Sequence, residues 1–319
     1  MDLDILLFFQ SIRSDPLTVF MSAVTYLGSE TVFVPVLCII LWCWRKELGY
    51  RLGFTLFFAM GLNQTLKILF FVPRPWVRWP GFSPVSSAVA DATGYSFPSG
   101  HTSAAASVYL TLALRADTCS RAGTRWRRPA ALAGAVLVMA LVGLSRVYLG
   151  VHTASDVVVS ALLTLAVVIP ANLIYDRVEK GRIADIALAG GGLALAAIVL
   201  TISTIVVARS PAADTEYALD AFKAAGAMMG FAIGWYAERR WIRFDVSASL
   251  PIQILKATAG IGVLLAIQTG TKSLLYAALP SAQMADTLRY LLIALWATCG
   301  LPASVQMALR MLRRAPRPD

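Results

Sequence analysis

Only two histidines occur in the 319 residues, and each stands near a cation or a helix start. His152 follows Ser145-Arg146 and precedes Asp156 by four positions, so on a helix the imidazole and the carboxylate would share one face. A carboxylate bonded to one ring nitrogen fixes the tautomer and makes the other nitrogen a better base or nucleophile. His101 closes the run Phe97-Pro98-Ser99-Gly100-His101. Pro, Ser and Gly ahead of an apolar stretch predict a helix start with Ser99 as its N-cap. The free N–H groups of such a start, Gly100 among them, favour an anion. Lys67 and Arg74 lie seven positions apart, about two helical turns, with Pro73 between them. Singly, each feature has a plain explanation: snorkelling anchors for the cations, an ordinary cap, a helix-stabilising pair. Together, three cations, two histidines and one carboxylate suit a phosphate site, where catalysis is largely positioning and charge stabilisation.

The elements that must position these residues are membrane helices. Hydrophobic residues make up 58% of the chain and charged residues only 14%, against about a quarter in soluble domains. The formal net charge of +10 does not form one basic patch. Basic residues recur in short clusters between apolar runs, as the positive-inside rule requires of a multi-span protein, which argues against a nucleic-acid partner. Cys38, Cys43, Cys119 and Cys299 form no CxxC pair and read as small hydrophobes rather than a metal site or disulfides. No acidic cluster suited to Mg²⁺ is visible, so neither metal nor cofactor is expected. The acidic start Met1-Asp2-Leu3-Asp4 does not read as a cleaved signal peptide.

Apolar runs of roughly spanning length fall near 30–44, 52–72, 100–116, 129–149, 154–175, 185–208, 219–237, 251–276 and 287–310. The expected fold is therefore all-α: a polytopic membrane helix bundle of about nine transmembrane helices. Residues 1–28, broken by Arg13, Asp15-Pro16 and Gly28, read as interfacial amphipathic helices. Clusters at Arg45/Lys46/Arg51, Arg121/Arg125/Arg127/Arg128, Arg177/Lys180/Arg182, Arg239/Arg240/Arg243 and Arg310/Arg313/Arg314/Arg317 occupy every second boundary and should be cytoplasmic. The alternate boundaries carry all the candidate site residues and should face outward, with the C-terminus inside.

These residues resemble a known pattern. Lys67-x6-Arg74-Pro75, Pro98-Ser99-Gly100-His101 and Ser145-Arg146-x5-His152-x3-Asp156 look like the three-part signature of the type 2 phosphatidic acid phosphatase superfamily, complete and in order. The resemblance covers residues 67–156. It implies a phosphoric ester or diphosphate hydrolase in which His152 attacks phosphorus to form a phosphohistidine and Asp156 orients it. It further implies that His101 protonates the leaving oxygen and later activates water, and that Lys67, Arg74, Arg146, Ser99 and Gly100 hold the phosphoryl oxygens. The implied catalytic core is 29–178, and 179–319 would add further transmembrane helices. The outward N-terminus and about nine spans also resemble the glucose-6-phosphatase and sphingosine-1-phosphate phosphatase branches.

The implied partners are the bilayer and a membrane lipid phosphate: undecaprenyl diphosphate, phosphatidic acid, phosphatidylglycerol phosphate or a sphingoid-base phosphate, in a bacterial plasma membrane. A soluble ester such as a sugar phosphate is an alternative substrate. An anion or lipid transporter is an alternative of another class, against which stand the two histidines and the absence of an inverted repeat. Gly226, Gly230 and Gly234 form a small-xxx-small stripe that permits close helix packing, and a homodimer is an open arrangement. Lys256 and Lys272 read as anchors at span ends. Single cysteines introduced at residues 80–95 should react with a membrane-impermeant thiol reagent from outside the cell; labelling from the cytoplasmic side alone would invert the topology.

Overall fold

The computed structural model describes residues 1–116, 127–209 and 216–314. Cys119, Arg121, Arg125, residues 210–215 and Arg317 lie outside the described residues. Every regular element among the described residues is helical. The order is α1 (Asp2–Ser11), α2 (Asp15–Thr25), α3 (Glu30–Ile39), α4 (Lys46–Phe70), α5 (Pro75–Arg78), α6 (Ser86–Val89) and α7 (Gly100–Leu114). Then come α8 (Arg127–Tyr148), α9 (Ala154–Glu179), α10 (Asp185–Arg209), α11 (Leu219–Ala237), α12 (Leu250–Ala278), α13 (Ala282–Leu295) and α14 (Leu301–Arg314).

Helices stand at all nine expected positions, but they do not all qualify as spans. Six segments are long and apolar enough to cross a bilayer: Lys46–Arg78, Arg127–Tyr148, Ala154–Glu179, Asp185–Arg209, Leu250–Ala278 and Ala282–Ala308. A seventh is added if Asp15–Gly28 and Glu30–Trp44, bent by 46°, make one broken span. α7 has 15 residues, a rise of about 22 Å against a hydrocarbon core of about 30 Å. α11 carries Asp220 and Lys223 in its first turns. Among the described residues the count is thus six or seven by length and apolarity, not nine.

Two compact units form. One comprises Met1–Val34, Thr55–Ile174 and Val199–Ala221; the other comprises Pro35–Phe54, Tyr175–Ile198 and the chain from Phe222 onward. In the first unit α7 lies along α8, with Ala106, Leu110 and Ala113 packed against Ala135 and Val168. α1 and α2 are helical as expected and pack on α8, where Leu6 meets Phe82 and Val147. A polar seam joins α4, α7 and α9. Asn63 donates to Ser103 at 3.0 Å, Ser103 meets Ser160 at 2.8 Å, and Thr111 donates to Thr55 at 3.1 Å. Polar groups within a bilayer find partners inside the protein because lipid offers none.

In the second unit the glycine stripe behaves as expected. A Cβ on Gly226, Gly230 or Gly234 would collide with Thr287 O, Leu291 O or Thr298 Oγ1, so α11 and the α13 backbone are in direct contact. Lys256 differs from the expected anchor. It is buried and its ammonium donates to the carbonyls of Trp42 at 3.0 Å and Val246 at 2.8 Å. Three of the basic boundaries come together through ion pairs: Lys46 with Glu238 (2.9 Å), Arg51 with Asp176 (2.7 Å) and Glu179, and Arg239 with Asp185 (2.9 Å) and Glu47 (3.2 Å). Gly230→Leu, which forces a side chain into the α13 backbone, should destabilise the protein in detergent by about 1–3 kcal/mol or more, read as a lowered unfolding temperature. Gly262, with open space around it, should tolerate Ala.

Candidate active site

α4 ends at Phe70 because Phe71 takes a left-handed backbone, φ 52°, with its N–H on Lys67 O at 3.2 Å. A bulky residue rarely adopts that conformation, and Pro73 forbids the helix to resume. Lys67 therefore stays on the last turn of α4, whereas Arg74 sits in extended backbone before α5. The helix does not persist past Pro73, so the two cations share no helical face, and tertiary folding brings Arg74 to His152 instead. Ser99 caps α7 as expected, its Oγ accepting from Thr102 N at 3.4 Å. Its own N–H donates to Asp156 O at 3.3 Å, joining the start of α7 to α9.

His152 precedes α9 rather than standing within it. Thr153 and Asp156 form a reciprocal capping box: Thr153 N donates to Asp156 Oδ2 at 2.8 Å, and Asp156 N donates to Thr153 Oγ1 at 3.2 Å. Ser96 Oγ also donates to Asp156 Oδ2, at 2.6 Å. This carboxylate oxygen lies 3.7 Å from His152 Nδ1, slightly beyond hydrogen-bond length. His152 Nδ1 is buried without a hydrogen-bond partner among the described residues.

On the other side of the ring, Arg74 Nη1 lies 2.9 Å from His152 Nε2. A guanidinium only donates, so Nε2 carries the lone pair and the ring proton of the neutral imidazole is on Nδ1, towards Asp156. Burial and the Arg74 charge push His152 well below the ordinary histidine range, with the Asp156 carboxylate acting in the opposite sense. The Arg74 donor on Nε2 requires the neutral form of the imidazole. Arg74 is held by backbone carbonyls, with Nη1 on Val151 O (2.9 Å), Nε on Gly94 O (3.0 Å) and Nη2 on Thr93 O (2.5 Å).

The remaining cations are less fully engaged. Arg146 on α8 donates to Thr25 Oγ1 at 2.9 Å, while its buried Nε has no partner among the described residues. Lys67 is buried on the last turn of α4. Lys67, Arg74 and Arg146 act electrostatically on one another, and all three act on His101. His101 is fixed from behind, because Gly28 approaches its backbone so closely that a Cβ there would lie 2.8 Å from His101 O. Unengaged donors on mutually repelling cations are arranged to receive an anion.

Sequence reading missed Ser96, Thr153, Thr93 and Thr25. The Thr153-x-x-Asp156 spacing signals a capping box and was available. The others have no local signature, since their partners are 19 to 121 residues away.

Residues 48–180, which contain every one of these side chains except Thr25, match the PAP2 superfamily, and residues 222–310 match the PAP2 superfamily phosphatase, transmembrane extension. Phosphatidylglycerophosphatase B of Bacillus subtilis (strain 168) is 30% identical over 152 residues, 46% of this chain and 69% of the relative. The Escherichia coli (strain K12) protein YbjG, which bears an undecaprenyl-diphosphatase name, is 29% identical over 147 residues, 45% of this chain and 67% of the relative. A crystal structure of a transmembrane PAP2 type phosphatidylglycerolphosphate phosphatase from Bacillus subtilis superposes with a TM-score of 0.46 at 25% identity, over 56% of this chain and 85% of that one. The chain belongs to the PAP2 superfamily. It is an integral-membrane protein of a family of lipid phosphatases.

Ser96→Ala removes one of the two protein donors on Asp156 Oδ2, leaving Thr153 N. It should lower kcat for phosphate release roughly tenfold, a hydrogen bond to a charged group being worth about 1.5–3 kcal/mol, with Ser96→Thr retaining more activity than Ser96→Ala.

Proposed function

We propose that this protein hydrolyses a lipid phosphate or diphosphate through a phosphohistidine at the outer face of the membrane, without a metal. The observation that carries this reading is the buried neutral His152, with its Nε2 lone pair against Arg74 and its Nδ1 against Asp156. Phosphoryl oxygens of a substrate would compete for the Arg74 N–H now on Nε2, so binding and freeing of the nucleophile are one event. Nε2 then attacks phosphorus, the P–N bond forms and the ester P–O bond breaks. The Nδ1 proton gains the Asp156 carboxylate as its partner while positive charge develops on the ring. His101 supplies a proton to the leaving oxygen, then takes one from the water that attacks phosphorus, so that the P–N bond breaks, its electron pair returns to Nε2 and phosphate is released. Lys67, Arg74 and Arg146 stabilise charge on the phosphoryl oxygens, assisted by Ser99 and the Gly100 N–H at the start of α7.

A lipid substrate is favoured over a soluble ester by the surface beside the cations. Leu69, Phe70 and Phe71, between Lys67 and Arg74, are exposed apolar side chains. Phe70 meets Phe97 edge-on at 5.2 Å and Phe71 meets Tyr95 at 5.4 Å, giving an apolar margin suited to acyl or prenyl chains. The names of the relatives make phosphatidylglycerol phosphate and undecaprenyl diphosphate the first candidates, ahead of phosphatidic acid and sphingoid-base phosphates. The outer placement rests on the loop charges, with interfacial helices 1–28, core 29–178 and additional helices 179–319.

The test is phosphate release from these four lipids and from glucose 6-phosphate by purified protein in excess chelator. The wild type should turn over at least one lipid at full rate, and His152→Ala should lose at least about a thousandfold. Unchanged turnover by the variant would reject the nucleophile, and loss of activity in chelator restored by Mg²⁺ would reject metal independence.

A further inference from the structure

Arg74 owes its orientation to the carbonyls of Thr93 and Gly94, and that loop is itself held from a distant part of the chain. Thr93 Oγ1 donates to Asp220 Oδ2 at 2.6 Å. Asp220 stands in the first turn of α11, outside the 48–180 region that matches the superfamily and just ahead of the 222–310 extension. Two neighbouring contacts fasten the same junction. The rings of Tyr95 and Tyr217 lie 5.1 Å apart. Gly94 has φ +63° and comes so close to Tyr217 that a Cβ on it would lie 3.3 Å from Tyr217 O. The Asp220 carboxylate also acts electrostatically on both Arg74 and Lys67.

From this relay we infer that Asp220 is a positioning residue for the phosphate site, holding Thr93 so that the Thr93 and Gly94 carbonyls aim Arg74 at His152. The inference rests on the reading of Arg74 as a phosphoryl ligand. It gives the segment leading into the C-terminal helices a part in catalysis, without Asp220 touching substrate. A fully charged acceptor is needed: a neutral amide at this position would bind the Thr93 hydroxyl more weakly. Displacement of Arg74 by a fraction of an ångström changes both its grip on phosphoryl oxygen and its contact with His152 Nε2, and errors of that kind cost up to about a hundredfold in rate.

The experiment compares kcat, KM and inorganic-phosphate inhibition for full-length wild type, Asp220→Asn, Asp220→Ala, Thr93→Val, Thr93→Ser and the Asp220→Ala/Thr93→Val double variant. Asp220→Ala and Thr93→Val should each lower kcat/KM roughly tenfold or more and weaken phosphate inhibition, while Thr93→Ser, which keeps the hydroxyl, stays near wild type. The double variant should be no worse than either single one, because both break the same link. In an Arg74→Lys background, Asp220→Ala should have little further effect, whereas a purely structural role would still reduce the folded fraction and rate. Asp220→Asn, nearly isosteric, keeps the comparison open if Asp220→Ala fails to fold. Asp220 variants within twofold of wild type, or effects that multiply in the double variant, would overturn the inference. An inactive wild type on every lipid would instead remove the phosphatase reading and this inference with it.

Discussion

A guanidinium buried beside an imidazole is costly unless its N–H groups are matched, and the site is organised around meeting that demand for Arg74. Its donors reach Thr93 O, Gly94 O, Val151 O and His152 Nε2. Three of these acceptors are backbone carbonyls, which cannot rotate away, so the planar fork ties the 93–94 loop to the 151–152 loop. A lysine would offer a point charge without this fork. The same bonds set the His152 tautomer, because a donor on Nε2 leaves the ring proton on Nδ1. One buried cation therefore decides where the His152 ring sits and which of its nitrogens holds the lone pair.

The surrounding electrostatics carry a deliberate imbalance. Lys67, Arg74 and Arg146 repel one another, while Asp156 is occupied by Ser96 and Thr153 and leaves its remaining influence to His152. Arg146 Nε has no partner among the described residues. Charges placed this way within a membrane protein are unfavourable until an anion arrives. In the polar seam through Asn63, Ser103, Ser160 and Thr164 the hydroxyls pair with one another and with the Asn63 amide N–H, while Asn63 Oδ1 has no partner among the described residues.

The second unit shows a different solution to helix packing. Close backbone contact along Gly226, Gly230 and Gly234 replaces the hydrophobic drive that lipid removes. Ion pairs around Lys46, Arg51, Glu238 and Arg239 then gather three chain boundaries. Basic residues that read in sequence as topology signals thus also serve as structural cross-links. Lys256 is the sharpest instance, since its ammonium holds two carbonyls rather than reaching for the interface.

How much was legible in the sequence differs between composition, motif and geometry. Apolar runs placed a helix at every expected position, because a bilayer leaves an unpaired backbone no other local choice. They could not decide the span count, since the short α7 and the charged start of α11 depend on what surrounds them. Residue types and order marked His101, His152, Asp156, Lys67, Arg74 and Arg146 as one phosphate-handling set, and Ser99 as a cap, from local chemistry alone. The contacts within that set were another matter. The His152–Asp156 spacing was read as one helical face, yet His152 lies before α9 and the carboxylate is turned by a capping box and by Ser96. Lys67 and Arg74 stand two helical turns apart in the sequence, and Phe71 with Pro73 ends the helix between them. Thr93 and Asp220 carried no signal at all, because their pairing spans 127 residues. Local sequence determined which groups were present and which backbone segments were helical; only the tertiary structure decided which donor met which acceptor, since that depends on distances no linear spacing encodes.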